Sequence, residues 1–330
     1  MRYHPYHQLE GRPHVVVDGS PTDGTVLTVT HWPGHPPPEV LAADTSAAMA
    51  FRLLEHRHLF AGAEVVSNNH FDQDGLVSIH ALVDPDAALA RRAFLEDVAR
   101  AGDFAVFRDR DAARVSMVVS AWAAGRGDLQ LPDGDDAQTA ALYAEWVERL
   151  PELCETIGQH RHMWGPEDAT LAASEAAIAN GRVTVAERPD VDLAVVDVPA
   201  DAPAAGGHRF GGRWETGLHP MAVHNATERF VVATVRGRTY DVELRYESWV
   251  QYRSRPLRLR RDLAPLATRL QDEERGDATW SATPVNGLTP RLLSGDGDSS
   301  IARDRFLALL TEHLTTTPPA WDPFSRTPGG

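Results

Sequence analysis

The sequence predicts an α/β fold, a mostly parallel sheet flanked by helices, followed by a smaller α+β domain that contains a β-hairpin. Three observations lead there. Short β-branched runs alternate with stretches of helical period through residues 1–200. An Ala-, Pro- and Gly-rich segment at 201–212 then breaks the pattern, as a linker or substrate loop would. Beyond it, two β-rich runs flank Arg236-Gly237-Arg238, the mark of a hairpin. The expected domains are therefore 1–200 and 213–330. A single core stops growing near ~250 residues, so a chain of 330 has room for two.

In chain order, residues 1–12 read as a polar leader with no packing pattern. His14-Val15-Val16-Val17-Asp18 is a short apolar strand ending in an acid, and residues 25–30 form a second strand after a turn-rich loop. Asp44-Thr45 caps a helix at 46–54. A strand at 63–67 leads through polar residues to a helix at 76–82, and another helix covers 86–101. Residues 115–119 fit either a strand or a helix. A long helical pattern at 137–157 is interrupted by Pro151, and one at 167–180 stops at Gly181. Runs at 183–186 and 193–198 close the first sheet. In the second domain the hairpin spans 229–246 and continues toward Trp249 and Val250, with helices at 263–269 and 301–314. The tail from residue 315 is proline-rich and irregular.

Composition removes several chemistries. All 32 basic residues are arginine, so a Schiff-base lysine, a P-loop lysine and a kinase lysine are excluded together. Any bound anion must be held by arginine, histidine, backbone N–H groups or metal. The single cysteine, Cys154, rules out an intramolecular disulfide and a thiolate zinc cluster. A net charge of −15 disfavours broad attraction to nucleic acid. The basic run Arg253-Ser254-Arg255-Pro256-Leu257-Arg258-Leu259-Arg260-Arg261, near Trp249 and Tyr252, can contact a single strand, but an edge strand with solvated arginines explains it more simply. No stretch reaches the ~20 apolar residues of a membrane span and the N-terminus lacks a signal core, so a cytoplasmic location and no membrane partner are expected.

The most informative run is Ser67-Asn68-Asn69-His70-Phe71-Asp72-Gln73-Asp74-Gly75. In extended chain alternate residues share a side, so His70, Asp72 and Asp74 can face one site while Phe71 packs. Gly75 then lets the backbone bend into the helix. One imidazole and two carboxylates suit Mn²⁺, Mg²⁺ or Zn²⁺. The plainer alternative is a strand-to-helix loop in which Asp72 or Asp74 caps the helix.

His70-Phe71-Asp72-Gln73-Asp74-Gly75-Leu76-Val77-Ser78 resembles the first motif of the DHH phosphoesterase superfamily, over about ten of the 330 residues. That resemblance implies a strand-to-helix loop that supplies ligands to a hydrolytic centre of one or two Mn²⁺ (or Mg²⁺) ions. It also implies further acids and a later Asp-His-His, which this chain lacks in literal form. Asp103 is the leading further ligand, ahead of Asp109 and Asp111 among their arginines. His160 and His162, in Gln159-His160-Arg161-His162, stand in for the missing histidines. Gly206-Gly207-His208-Arg209-Phe210-Gly211-Gly212-Arg213 faintly resembles the superfamily's accessory-domain substrate loop. On that basis His208 and Arg213 are expected to bind substrate phosphate across from the His70–Asp74 loop, with Asn69 and His31, the latter at a strand end, as further substrate contacts. The expected activity is hydrolysis of a phosphoester or phosphoanhydride in a small anionic compound or short oligonucleotide. The alternative is a non-catalytic metal- or nucleotide-binding module with a degenerate site.

Overall fold

Four strands, β1 (Arg2–Tyr3), β2 (His14–Val17), β3 (Thr25–Val29) and β4 (Val65–Ser67), form a sheet in the order β1-β4-β2-β3 with every pairing parallel. The structure is a computed structural model that describes residues 1–127, 129–202, 207–209, 212–214 and 217–325, with 207–209 and 212–214 described by their backbone. Val15, Val16 and Val17 are all fully buried, as a central parallel strand covered on both faces requires. The chain divides into two compact units, Met1–Ala169 with Gln251–Arg255, and Thr170–Val250 with Pro256–Gly330.

In the first unit, α1 (Ser46–Glu55) starts at Thr45, whose hydroxyl accepts the Ala48 N–H at 3.2 Å. The helix α2 (Gln73–Val83) lies against β1, β2 and β4. Leu76, Ile79 and Leu82 on it are fully buried, each contributing about 1.5–3 kcal/mol. Around it pack α1, α4 (Arg92–Asp103) and α6 (Asp135–Thr156), with α3 (Pro85–Ala90) leading into α4 and α5 (Arg110–Ala123) packed on α4. The expected helix at 86–101 is thus two, joined at Arg91, and the ambiguous 115–119 run is helical. Pro151 does not break α6, which continues through it. The supposed leader is structural: β1 extends the sheet, the Met1 ammonium donates to the Leu82 carbonyl at 2.8 Å, and Leu9 is buried.

The unit division falls inside α7 (Arg161–Ala179), upstream of the 201–212 segment that composition marks. Strands β5 (Thr184–Arg188) and β6 (Leu193–Val198), expected in the first sheet, belong instead to the second. A separate hairpin, β7 (Gly207–Arg209) with β8 (Gly212–Trp214), precedes α8 (Pro220–Ala226). The second sheet adds β9 (Val231–Arg236), β10 (Thr239–Leu244), β11 (Ser281–Ala282) and β12 (Arg291–Leu293) in the order β11-β12-β10-β9-β6-β5. Only the β6–β9 pairing in it is parallel. The β9–β10 hairpin turns at Gly237, where φ is +59°, a conformation glycine adopts without strain.

Alternation places the two faces of this sheet. Leu193, Val195, Val231 and Ala233 pack with Leu266 and Leu270 of α9 (Ala264–Glu273) and Phe306 and Leu310 of α10 (Arg303–Thr316). Val196, Val198 and Val232 face the other way, onto Val223 of α8 and Ile178 of α7. Past β10 the chain leaves the sheet at Tyr246, so Trp249 and Val250 do not extend the strand. The basic run forms no named strand either. Arg260 is buried and donates to the Ser248 hydroxyl and to the carbonyls of Arg245, Val285, Gly287 and Leu288. Burial presses its guanidinium down to about 9. Among the described residues no helix is long and apolar enough to cross a membrane.

Glu274, after α9, fastens two loops of this unit. Its carboxylate accepts N–H groups from Arg275, Gly276 and Ser300 at 3.0, 2.8 and 2.7 Å, the Trp280 indole N–H at 3.0 Å and the Ser299 hydroxyl at 2.6 Å. Desolvation alone would raise this carboxyl, but those donors outweigh it and hold it well below its usual 4.5. A depressed carboxyl stabilises the fold above its unfolded value and loses that contribution as pH falls. Glu274→Gln should therefore cost on the order of 1 kcal/mol at neutral pH. The difference from parent in urea melts should shrink below about pH 4.5, the unfolded value.

Candidate metal centre

The parallel order of the first sheet brings the carboxyl ends of β2, β3 and β4 side by side, the edge where α/β sheets gather functional groups. Asp18 follows β2, His31 comes two residues after β3, and residues 68–74 follow β4. Asp103 arrives separately, as the last residue of α4.

His31 is fully buried, and its orientation is fixed. Its Nδ1 lies 2.5 Å from the Asp44 carbonyl, which can only accept, so Nδ1 carries the proton and Nε2 presents its lone pair. Nε2 faces carboxylate oxygens of Asp103 at 3.5 Å, Asp18 at 3.6 Å and Asp74 at 4.0 Å. Burial lowers the His31 pKa despite the opposing charges of Asp18 and Asp72, favouring the neutral ring. On the other side of Asp18, His70 Nε2 lies 3.4 Å from Asp18 Oδ2 and 3.2 Å from Asp72 Oδ2. Burial opposes the charged ring here too, but Asp72 and Asp18 prevail and raise the pKa of His70 well above its ordinary value. Asp18, His31 and Asp74 make one group whose ligand atoms lie within 4.8 Å of one another, and Asp18, His70 and Asp72 make a second. Asp18 belongs to both.

The run after β4 does not work as an extended ligand strand. β4 ends at Ser67, Asp72 is the N-cap of α2 and Asp74 sits in its first turn. Asp72 is therefore a cap whose second oxygen is turned to the cluster: Oδ1 accepts the Gly75 N–H at 2.8 Å while Oδ2 meets His70 at 3.2 Å. Gly75 is helical and makes no bend. Its importance is close approach, since a Cβ there would lie 2.3 Å from both the Asn68 side-chain nitrogen and the Tyr143 hydroxyl. Tyr143 donates to the His70 carbonyl at 2.8 Å and meets the Phe71 ring edge-on, so Phe71 packs as expected.

Asp74 is fully buried and answers the N-terminus of α1, accepting the Ser46 and Ala47 N–H groups at 2.7 Å each. The Ser46 hydroxyl donates to Asp18 Oδ1 at 3.0 Å. Even so, burial and the Asp18 and Asp72 charges raise Asp74 well above the carboxylate range. Asp18 Oδ2 is buried without a hydrogen bond of good geometry. The carboxylates of Asp18, Asp72 and Asp74 with the two imidazoles could hold a hard or borderline divalent cation. The Asp44 carbonyl behind His31 is the kind of outer partner that metal-bound histidines keep.

The cluster thus unites His31, His70, Asp72 and Asp74 from the expected residues and adds Asp18, while Asp103 reaches it through His31 at 3.5 Å without joining either three-ligand group. His31, expected as a substrate contact, faces the carboxylates like a ligand. The Asn69 side-chain oxygen lies against Gly19, next to Asp18 in the chain. His160 and His162 are not brought in: they end a 3₁₀ turn and begin α7, and neither joins a three-ligand group among the described residues. Asp109 caps α5 and is exposed, and Asp111 pairs with Arg114. His208 and Arg213 are paired in register in the β7–β8 hairpin, and the side chains expected to face the metal loop lie outside the described residues. Asp18 had one signal in the sequence, an acid at the end of an apolar strand.

The chain belongs to a family of unknown function, DUF6687, whose model matches residues 1–325. No curated protein and no solved structure matches it.

Removal of Asp74 should not be silent for folding, because it strips two N–H partners from α1. Asp74→Ala should lower stability by about 1–2 kcal/mol at acid pH, where the carboxyl is protonated in parent and its bonds are kept. A raised carboxyl stabilises below its unfolded pKa and loses that contribution as pH rises. Metal-free parent should therefore weaken with rising pH and the gap to Asp74→Ala should narrow, read as urea midpoints in chelator across pH 4–8.

Proposed function

We propose that this protein is a metal-dependent phosphoester or phosphoanhydride hydrolase that uses one or two Mn²⁺ or Mg²⁺ ions on a small phosphorylated compound or short oligonucleotide. The observation that carries this reading is His31: a neutral imidazole, oriented through Nδ1, aims Nε2 at the carboxylates of Asp103, Asp18 and Asp74. A divalent cation placed among them would take the imidazole lone pair and carboxylate oxygens together. The resemblance of the His70–Ser78 run to the first DHH motif supports the choice of phosphoryl chemistry. In place of the literal Asp-His-His, the reading assigns Asp18, His31 and Asp103 as the remaining ligands.

In this reading Asp18, common to both groups, reaches either side of the centre. Bound metal would lower the pKa of a coordinated water and polarise a phosphoryl oxygen. The protein's part is orientation. The α1 N-terminus steadies Asp74, the first turn of α2 steadies Asp72, and Tyr143 holds the His70 backbone. The His70 side chain, 24% exposed against 0% for His31, marks the solvent side from which substrate would approach. Asn69 stands next to it as a polar contact, and with no lysine in the chain arginine supplies the direct cationic contacts to phosphate.

Calorimetric titration of Mn²⁺ and turnover of a generic phosphodiester test this. His31→Ala and Asp18→Ala should each weaken Mn²⁺ binding beyond the roughly 10–100-fold typical of an outer-shell change, and should abolish metal-dependent turnover. Unaltered Mn²⁺ affinity in both variants would sink the proposal. Binding that disappears in the variants, with no turnover in parent, would point to the non-catalytic metal- or nucleotide-binding module.

A further inference from the structure

The residues that hold His31 in place come from the far end of the sequence. Gln251–Arg255 belongs to the first unit although the chain on both sides of it belongs to the second. The Gln251 N–H donates to the His31 carbonyl at 2.8 Å, and its side-chain amide donates to the Trp32 carbonyl at 2.7 Å. Two residues on, the Arg253 and Ser254 N–H groups donate to the Asp44 carboxylate at 2.7 and 2.9 Å, and the Ser254 hydroxyl does the same. Asp44 is the residue whose carbonyl fixes His31 Nδ1. Between them, Tyr252 packs edge-on against Phe104, 5.5 Å between centroids, and Phe104 is the neighbour of Asp103.

We propose that Gln251–Ser254 is a positioning strap for the metal centre, holding both ends of the 31–44 loop so that His31 Nε2 stays aimed at the carboxylates. The proposal rests on the metal reading above. Residues 32–44 contain no strand or α-helix, and the run His35-Pro36-Pro37-Pro38 offers few N–H groups for internal bonding. Leu41 and Ala42 turn back on Pro38 and Glu39 through their N–H groups, whereas the His31 and Trp32 carbonyls at the other end are held by Gln251. Gln251 suits that role, since it is buried and both its main chain and its side chain are spent on this loop. Asp44 links the two functions through one residue: its side chain is gripped by the strap and its carbonyl grips the imidazole.

The test compares Mn²⁺ titrations of full-length parent, Asp44→Ala and Gln251→Leu, alone and on a His31→Ala background. Gln251→Leu leaves every charge in place and removes one donor. Each single variant should bind Mn²⁺ on the order of 10-fold more weakly. Neither should reduce the residual affinity further once His31 is gone, because the strap acts through that ring. In the metal-free protein, ¹⁵N spectra should show His31 protonated at Nδ1 in parent and a mixture of tautomers in Asp44→Ala. Parent-like affinity in Gln251→Leu would overturn the strap and leave Asp44 acting by charge alone. Equal losses with and without His31 would overturn it as well. A parent that binds no Mn²⁺ would instead remove the metal reading, and the strap's role with it.

Discussion

Carboxylates gathered in a buried place repel one another, and the first unit is organised around managing that repulsion. Asp18, Asp72, Asp74 and Asp103 are all buried, where Coulomb energies are several times larger than in water. Two helix N-termini point N–H groups at them, α1 toward Asp74 and α2 toward Asp72. Those partial positive charges offset part of the excess. The remainder shows in the two groups pushed toward holding protons, Asp74 and His70. A fold maintains such a cluster at a cost in stability, which is the usual relation between a functional site and the scaffold that carries it.

How far the sequence disclosed this depends on the range of each interaction. Local signals were legible: the Thr45 cap, the burial of Val15–Val17, the hairpin at Gly237 and the convergence of His70 with Asp72 all follow from residues a few positions apart. Asp18 was not singled out, because its value comes from the strand order, which sets the end of β2 beside the end of β4. The capping role of Asp72 is shown by one oxygen, and its other oxygen, turned to His70, keeps a second role open.

Composition misled where it could not report direction. The 201–212 segment is rich in Ala, Pro and Gly, yet content does not tell to which body the strands before it belong, and β5 and β6 join the second sheet. The basic run reads as a solvated face because most arginine runs are. Arg260 is instead buried against four carbonyls, and nothing in Arg-Leu-Arg-Arg distinguishes a guanidinium that holds loops together from one in water. The polar N-terminus hid a two-residue strand, below the length at which periodicity carries a signal.

Asp18 has a backbone φ of +47°, in the left-handed region that Asp, Asn and Gly enter far more readily than other residues. The backbone therefore favours asparagine and glycine beside aspartate at this position, although Glu10 and Ala105 hold similar angles, +50° and +52°. Of the three favoured residues only aspartate brings a negatively charged oxygen. At Gly19 beside it a Cβ would stand 2.2 Å from the Asn69 side-chain oxygen, so a larger residue would require that side chain to move. The Asp-Gly pair that closes β2 is thus constrained by its place and not by its letters, since the same pair recurs at 23–24, 74–75, 133–134 and 296–297 of this chain.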